Sequence, residues 1–194
     1  MGSPSGLGVY FAGTSTTQRI LWGCSLSPES AITKARCGLC HFIIQGVAMN
    51  SLPTITLAQQ AAHAMYRDDT CAKAMGMHID EVAEGYAQLT MTVTANMLNG
   101  HKTCHGGQLF SLADTAFAYA CNSQGYAAVA SMCSIDFLRP GFEGDTLTAT
   151  AKMQHQGKRN GLYAVEIVNQ DGKPLALFQG RSHRLGHRLV GEQS

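Results

Sequence analysis

Polar and apolar residues alternate along several short stretches of this chain. Residues 88–94 read Gln-Leu-Thr-Met-Thr-Val-Thr, and this period of two is typical of a strand with one buried and one exposed face. Residues 146–153 alternate in the same way, and the Asp-Gly pair at 171–172 is a strong hairpin turn signal. With three further apolar runs, the pattern predicts strands at residues 88–94, 127–138, 146–153, 162–169 and 173–185.

Two other stretches follow a helical pattern. Residues 58–76 place apolar and charged residues at helical spacing, and Gly76 is the usual kind of helix stop. Residues 106–123 begin with two glycines and continue without Pro or further Gly, and they are apolar nearly all round, which is typical of a buried helix. The predicted order is helix, strand, long helix and four strands joined by short turns. This order predicts an α+β fold with the long helix on one face of an antiparallel sheet.

The long helix carries two features that suit chemistry at a carbonyl group. The backbone N–H groups of Gly106 and Gly107 lie at its N-terminus, where free amides and the helix dipole can stabilise an oxyanion. Asp114 lies among apolar residues in the middle of the helix, and a buried carboxylate can act as a general base or as a nucleophile. The alternative is a core helix with a glycine turn and one hydrogen-bonded aspartate.

The spacing of Gly106 and Asp114 along the helix bears on whether the active site needs a second subunit. Gly106 and Asp114 are eight residues apart, which is about 12 Å along a helix, so they cannot both contact one carbonyl from the same chain. If both are catalytic, Asp114 must serve the Gly106 amide of a second subunit. We therefore expect a two-fold dimer with two sites at its interface.

Two motifs carry a resemblance to a known family. His-Gly-Gly at 105–107, followed by Leu-Ala-Asp at 112–114, resembles the hotdog-fold acyl-CoA thioesterases of the phenylacetate-degradation (PaaI) type. Ile-Asp-Phe-Leu-Arg-Pro-Gly at 135–141 is similar to the same family, and the resemblance covers residues 62–186. It implies a hotdog fold, in which an antiparallel β-sheet wraps a long central helix. It also implies dimers that pair their sheets and usually assemble into a homotetramer.

The resemblance assigns roles to matching residues. Asp114 matches the catalytic carboxylate and Gly106 the oxyanion donor, while His105 and Asn99 match positions that line the catalytic site. Asn99 would orient water or the thioester carbonyl, although an Asn before Gly also favours a turn by itself. The predicted substrate-binding residues are Gly107, Ser131, Arg139 and Lys158, with Arg159 and Arg184 as further candidates for the coenzyme A phosphates.

The turn before the long helix also allows two other chemistries. Cys104 stands beside His105 and could form a Cys–His nucleophile, which we rank below Asp114 because nothing in the sequence orients His105 as its base. His101 and His105 have the i, i+4 spacing of metal ligands. They lie in a glycine-containing turn with no carboxylate in sequence reach, so we predict no metal.

The resemblance implies hydrolysis of acyl-CoA thioesters to free acid and coenzyme A, without a cofactor. The expected acyl group is aryl-acetyl or hydroxylated phenylacetyl, as in phenylacetate catabolism. Two alternatives stay open, a hotdog 3-hydroxyacyl thioester dehydratase and a non-catalytic acyl-CoA sensor. The role of Asp114 as base or as nucleophile also stays open.

Composition narrows the range of partners and compartments. The 194 residues include 45% hydrophobic and 14% charged residues with a net charge of +1, which indicates no nucleic-acid partner. The sequence lacks an apolar run of about 18 residues, so we expect no membrane span. Four of the seven cysteines follow Met49 without the spacing of a disulfide framework. We therefore expect free thiols in a cytoplasmic protein.

The first 48 residues differ from the rest, since they are rich in Gly, Ser and Thr and show no sustained period. We interpret 1–48 as a disordered tail or an over-extended gene start, 49–186 as the catalytic domain and 187–194 as a tail. A signal peptide is the rival interpretation, but residues 1–10 lack a positive and an apolar region. Residues 37–41 match the C-x-x-C-H haem pattern, yet the sequence indicates neither an axial ligand nor a haem pocket.

Overall fold

The computed structural model describes residues 55–191, which form an α+β fold. The predicted tail at 1–48, with its C-x-x-C-H motif, lies outside the described residues. Within 55–191, no helix is both long and apolar enough to cross a membrane. The helices are α1 (Leu57–Asp68), α2 (Thr70–Ala74) and α3 (Gly106–Asn122). The strands are β1 (His78–Ala83), β2 (Tyr86–Thr92), β3 (Tyr126–Phe137), β4 (Thr146–Gln156), β5 (Asn160–Val168) and β6 (Pro174–Arg188).

The strands form one sheet in the order β1-β2-β4-β5-β6-β3, and every neighbouring pair is antiparallel. Helix α3 packs on this sheet and contacts all six strands. The predicted long helix and the five predicted strands are confirmed, with ends that move by at most three residues. This is the hotdog architecture that the resemblance implied.

Two expectations about the start of the described chain were wrong. Strand β1 was not predicted, because a register shift between Ile79 and Glu81 interrupts the alternation that marks a strand. The helix predicted at 58–76 is divided into α1 and α2. The division occurs at Asp69, whose Oδ1 accepts a hydrogen bond from the Ala72 N–H at 2.9 Å and so caps the start of α2.

The hydrophobic core lies between α3 and the sheet. Phe117 of α3 packs edge-to-face on Tyr163 of β5, with ring centroids 5.4 Å apart, and lies 5.9 Å from the ring of Phe178 on β6. A methyl group on Gly180 would come 2.9 Å from the Phe117 ring, so glycine lets β6 approach the helix at this point. Packing therefore fixes the position of α3 on the sheet.

Strand β3 forms an edge of the sheet, opposite to β1. It is 12 residues long, and the apolar side chains of Val129, Met132 and Phe137 are 48%, 48% and 54% exposed. A long edge strand with unpaired backbone groups and exposed apolar side chains is a template for pairing with another chain. The edge therefore has the features of a subunit contact.

The cap at Asp69 generates a prediction about stability. Asp69→Ala is expected to lower the free energy of unfolding by about 1 kcal/mol, because α2 loses its cap and Tyr119 loses the carboxylate that accepts from its hydroxyl at 3.3 Å. Asp68→Ala is the matched control, since Asp68 is exposed and pairs with the exposed Arg67. Urea unfolding followed by circular dichroism compares the two, and equal losses of stability would contradict the capping role.

Candidate active site

Helix α3 begins at the His-Gly-Gly turn, and His105 is its N-cap residue. Nδ1 of His105 accepts a hydrogen bond from the Gly107 N–H at 2.9 Å. A ring nitrogen that accepts this bond carries no proton, so the imidazole holds its proton on Nε2. His105 therefore holds the first turn of the helix in place.

The two glycine amides differ in their hydrogen bonding. The Gly107 N–H is bonded to His105, whereas the Gly106 N–H has no acceptor among residues 55–191. Gly106 is the first residue of α3, so its N–H points out of the N-terminus, where the helix carries partial positive charge. A methyl group at this position would come 2.9 Å from the ring of Phe137. Gly106 is therefore the better oxyanion donor of the pair.

The loop before α3 is tied to the rest of the fold by backbone hydrogen bonds. The His105 N–H donates to the Met97 carbonyl at 2.9 Å, and the Cys104 N–H donates to the Gly141 carbonyl at 2.8 Å. Gly141 ends the Ile-Asp-Phe-Leu-Arg-Pro-Gly segment. The two motifs that carry the family resemblance therefore meet at this loop.

Asn99 stabilises the same loop. Its Oδ1 accepts from the N–H groups of His101 at 2.9 Å and Thr103 at 3.3 Å, and its Nδ2 donates to Thr103 Oγ1 at 2.9 Å. These bonds show Asn99 stabilising the turn, and its orientation of water or of a carbonyl stays a prediction. Asn99 nonetheless lines the same cavity as Gly106.

A cavity of about 480 Å³ opens beside Gly106. Its walls include Leu109, Phe137 and Arg139. Nη1 of Arg139 donates to the Pro174 carbonyl at 2.9 Å, which restrains the guanidinium. The cavity thus combines an unbonded amide, an aromatic wall and a cation.

Asp114 lies half-buried in the middle of α3, next to β3. Its Oδ1 accepts a hydrogen bond from the Cys133 thiol at 3.8 Å. Burial raises the pKa of Asp114, and the Cys133 hydrogen bond lowers that pKa by a smaller amount. Within residues 55–191, no basic side chain forms an ion pair with this carboxylate. A half-buried carboxylate without a cationic partner is a functional candidate.

The single chain keeps Asp114 apart from the Gly106 amide. The two residues are separated by two continuous turns of α3, and Asp114 is not among the walls of the cavity beside Gly106. The rise of 1.5 Å per residue puts their backbones about 12 Å apart. The separation expected from the sequence is therefore present in the structure.

Ser131, predicted from the resemblance as a substrate-binding residue, lies on β3. Ser131 is the bulged residue between Ala130 and Met132, and its Oγ donates to the Arg181 carbonyl at 3.0 Å. The β3 side chain that contacts Asp114 is Cys133, which the sequence did not single out. Only the register of β3 against the helix reveals this contact, so no local sequence signal marks it.

The predicted phosphate-binding residues do not form one cluster. Arg139 lies beside Gly106, whereas Lys158 and Arg159 line a different cavity at the turn between β4 and β5, together with Arg181. Arg184 lines a third cavity. A single coenzyme A phosphate therefore cannot contact all of these cations within one chain.

The structure disfavours the Cys–His nucleophile. Cys104 is buried, and burial raises its pKa to about 11, so its thiol stays protonated near neutral pH. Nδ1 of His105 is already bonded to Gly107. In the part of the chain that the structure describes, His, Cys, Asp and Glu side chains form no group of three that could hold a metal ion.

Comparisons with known proteins identify the family of this chain. The thioesterase superfamily matches residues 101–176. The acyl-coenzyme A thioesterase PaaI of Escherichia coli K12 is 70% identical over 135 residues, which cover 70% of this chain and 96% of the relative.

Comparison with solved structures finds members of the same family. The structure of the E. coli PaaI protein matches with 69% identity and a TM-score of 0.68, covering 69% of this chain and 97% of the other. A hypothetical thioesterase from Streptococcus pneumoniae TIGR4 with coenzyme A matches with 29% identity and a TM-score of 0.56, covering 58% and 90%. The chain therefore belongs to the thioesterase superfamily, within its PaaI-type acyl-coenzyme A thioesterases.

Proposed function

We propose that this chain hydrolyses aryl-acetyl-CoA thioesters, with hydroxylated phenylacetyl-CoA as the preferred substrate, to the free acid and coenzyme A in phenylacetate catabolism. One observation carries the proposal. The same buried helix presents the Gly106 amide, which has no acceptor in the part of the chain that the structure describes, and a half-buried carboxylate at Asp114. These are an oxyanion donor and a base or nucleophile, the two groups that thioester hydrolysis needs.

The names of related proteins support the substrate class. The E. coli relative is an acyl-coenzyme A thioesterase, and its structure is described as the PaaI protein from the phenylacetic acid degradation operon. The S. pneumoniae structure contains coenzyme A. We also propose a cytoplasmic location, which agrees with the free thiols of the four described cysteines, at positions 71, 104, 121 and 133.

The proposed reaction starts with the thioester carbonyl oxygen on the Gly106 N–H. Asp114 takes a proton from water as the water oxygen attacks the carbonyl carbon, and the negative charge moves to the carbonyl oxygen. Collapse of this intermediate breaks the C–S bond, and coenzyme A leaves with the proton that Asp114 took from water. In the second route, the Asp114 carboxylate attacks the carbonyl carbon, the C–S bond breaks, and coenzyme A leaves as a thiolate that takes a proton from water. A water molecule then attacks the mixed anhydride, which releases the free acid and regenerates the Asp114 carboxylate. Both routes need an ionised Asp114.

We further propose that each site is shared between two subunits. Asp114 and Gly106 of one chain are too far apart to act on one carbonyl, and Asp114 lies next to the exposed edge strand β3. Antiparallel pairing of two β3 edges around a two-fold axis would bring the α3 helices of two chains side by side. The carboxylate of one chain then reaches the amide of the other.

We assign the cavity beside Gly106 to the part of the substrate next to the carbonyl. The exposed Phe137 ring offers an apolar surface there, and Arg139 supplies a positive charge. Lys158, with Arg159 and Arg181 around its own cavity, is the second candidate for phosphate binding. In this arrangement Ser131 supports the shape of β3 through its bond to Arg181.

A panel of acyl-CoAs tests the proposed substrate and the role of Asp114. Free-thiol release is measured with phenylacetyl-CoA, its ring-hydroxylated forms and straight-chain acyl-CoAs. The wild type is expected to prefer the hydroxylated aryl-acetyl members. Asp114→Asn is expected to lower kcat at least about 100-fold, because the amide can neither accept a proton nor attack.

Asp171→Asn is the matched control, because Asp171 is exposed in the turn before β6 and pairs with Lys173. It is expected to keep wild-type turnover. Acyl-CoA binding without thiol release by the wild type would refute hydrolysis and favour the sensor. Loss of a water molecule from a 3-hydroxyacyl-CoA with the thioester intact would favour the dehydratase.

Subunit mixing tests the shared site. Gly106→Val is expected to disable the amide, because its side chain enters the space of the Phe137 ring. Asp114→Asn and Gly106→Val should each be nearly inactive alone. After joint denaturation and refolding at equal amounts, about one quarter of wild-type activity is expected, because half of the dimers are mixed and each has one intact site.

Refolding each variant alone under the same conditions is the control for spontaneous recovery. Wild type taken through the same cycle sets the reference for full activity. No gain on mixing, with mixed dimers demonstrated by differential tags, would show that both groups act within one chain.

A further inference from the structure

We infer that Cys133 is a positioning residue for Asp114, whose thiol orients the carboxylate and favours its ionised form. The inference rests on the proposed catalytic role of Asp114. Cys133 does not contact the substrate in this scheme. It acts on the reaction only through the carboxylate.

The contact joins two elements that packing holds in place. Asp114 lies on α3, and Cys133 lies on β3, where it pairs with Gly180 of β6. The Cys133 Sγ is 3.8 Å from Oδ1 of Asp114, within the range of a thiol hydrogen bond. Phe117 of the same helix packs against Gly180. The distance between helix and strand is therefore set by packing, and the thiol lies at a defined position beside the carboxylate.

The surroundings of Asp114 leave this bond without competitors. Among residues 55–191, the Cys133 thiol is the one side chain that donates a hydrogen bond to the carboxylate, and Lys, Arg and His form no ion pair with it. The other titratable group that interacts with its charge is Cys121, seven residues further along α3 and buried. The pKa of Cys121 is raised to about 12 and that of Cys133 to about 11, mainly by burial. Both thiols are therefore neutral donors at the pH of the reaction.

The direction of the effect follows from the chemistry of the donor. A thiol can donate its hydrogen to a carboxylate, and such a bond favours the charged form of the acceptor. Burial acts on Asp114 in the opposite direction and is the larger effect. Removal of the thiol therefore raises the pKa of Asp114 further. Since the reaction needs the ionised carboxylate, the loss of activity in acid then begins at a higher pH.

The pH dependence of kcat/KM tests the inference, with phenylacetyl-CoA as the probe. Cys133→Ala is expected to move the acid limb of the profile to higher pH by about half a pH unit or more. It also frees the carboxylate to rotate, so kcat at the pH optimum is expected to fall about 3- to 10-fold while KM changes little. Cys133→Ser keeps a donor and is expected to return the acid limb toward the wild-type position.

Cys71→Ala is the matched control, since Cys71 is exposed on α2, and it is expected to leave the profile unchanged. Size-exclusion chromatography and thermal melting verify that each variant is folded and assembled like the wild type. An Ala variant whose activity falls equally at every pH, with the acid limb in its wild-type place, would reduce Cys133 to a packing residue and overturn the inference. A fully active Asp114→Asn would instead refute the proposed role of Asp114, so the two failures are distinguishable.

Discussion

The rise of the α-helix is the constraint on which this site depends. Among residues 55–191 the amide of the first residue of helix α3 has no acceptor, a carboxylate follows eight residues later, and the helix packs against six strands. At 1.5 Å per residue, the backbones of the two residues remain about 12 Å apart, which exceeds the reach of an aspartate side chain. No rotamer of Asp114 closes that distance. A site that uses both groups must therefore be completed by a second copy of the chain, and the exposed edge of β3 is the surface beside which Asp114 lies.

The same packing sets the electrostatics of the carboxylate. Burial favours the neutral form of Asp114, which has neither an arginine nor a lysine in ion-pair contact among the described residues. A strong cationic partner would hold the carboxylate ionised, but it would also make it a weaker base. The weak thiol donor at Cys133 favours the ionised carboxylate without lowering its basicity as much as a cation would. It restrains the orientation of the carboxylate through a bond to Oδ1 and makes no bond to Oδ2.

Much of the fold could be predicted from the sequence because most strands have one buried face, which produces an alternation that can be read directly. Strand β1 was not predicted because its sequence lacks this alternation. Its half-buried residues, Ile79 and Val82, are three positions apart because a bulge lies between them, so the period of two is lost. The cap at Asp69 could not be predicted either. An aspartate within a helical pattern is recognised as an N-cap only when its hydrogen bond to the backbone is known.

The candidate site could be predicted only where chemistry is local in sequence. The glycine turn and Asp114 lie on one helix, so their separation follows from the residues, and their proposed roles rest on groups that the sequence displays directly. The contact of Cys133 with Asp114 depends on which β3 side chains face the helix, and a bulge at Ser131 shifts the register of β3 against β6 by one residue. A change of one residue in this register would place a different side chain beside the carboxylate.

The two sequence motifs form one structural unit. The Cys104 amide is bonded to the Gly141 carbonyl, and the Phe137 ring lies against Gly106. The first contact fixes the loop that precedes α3, and the second excludes a side chain from the helix start, so the amide stays accessible beside an apolar wall. His105 completes the unit by accepting a hydrogen bond from the Gly107 amide, while the Gly106 amide has no acceptor within residues 55–191. The second motif therefore determines the shape of the first.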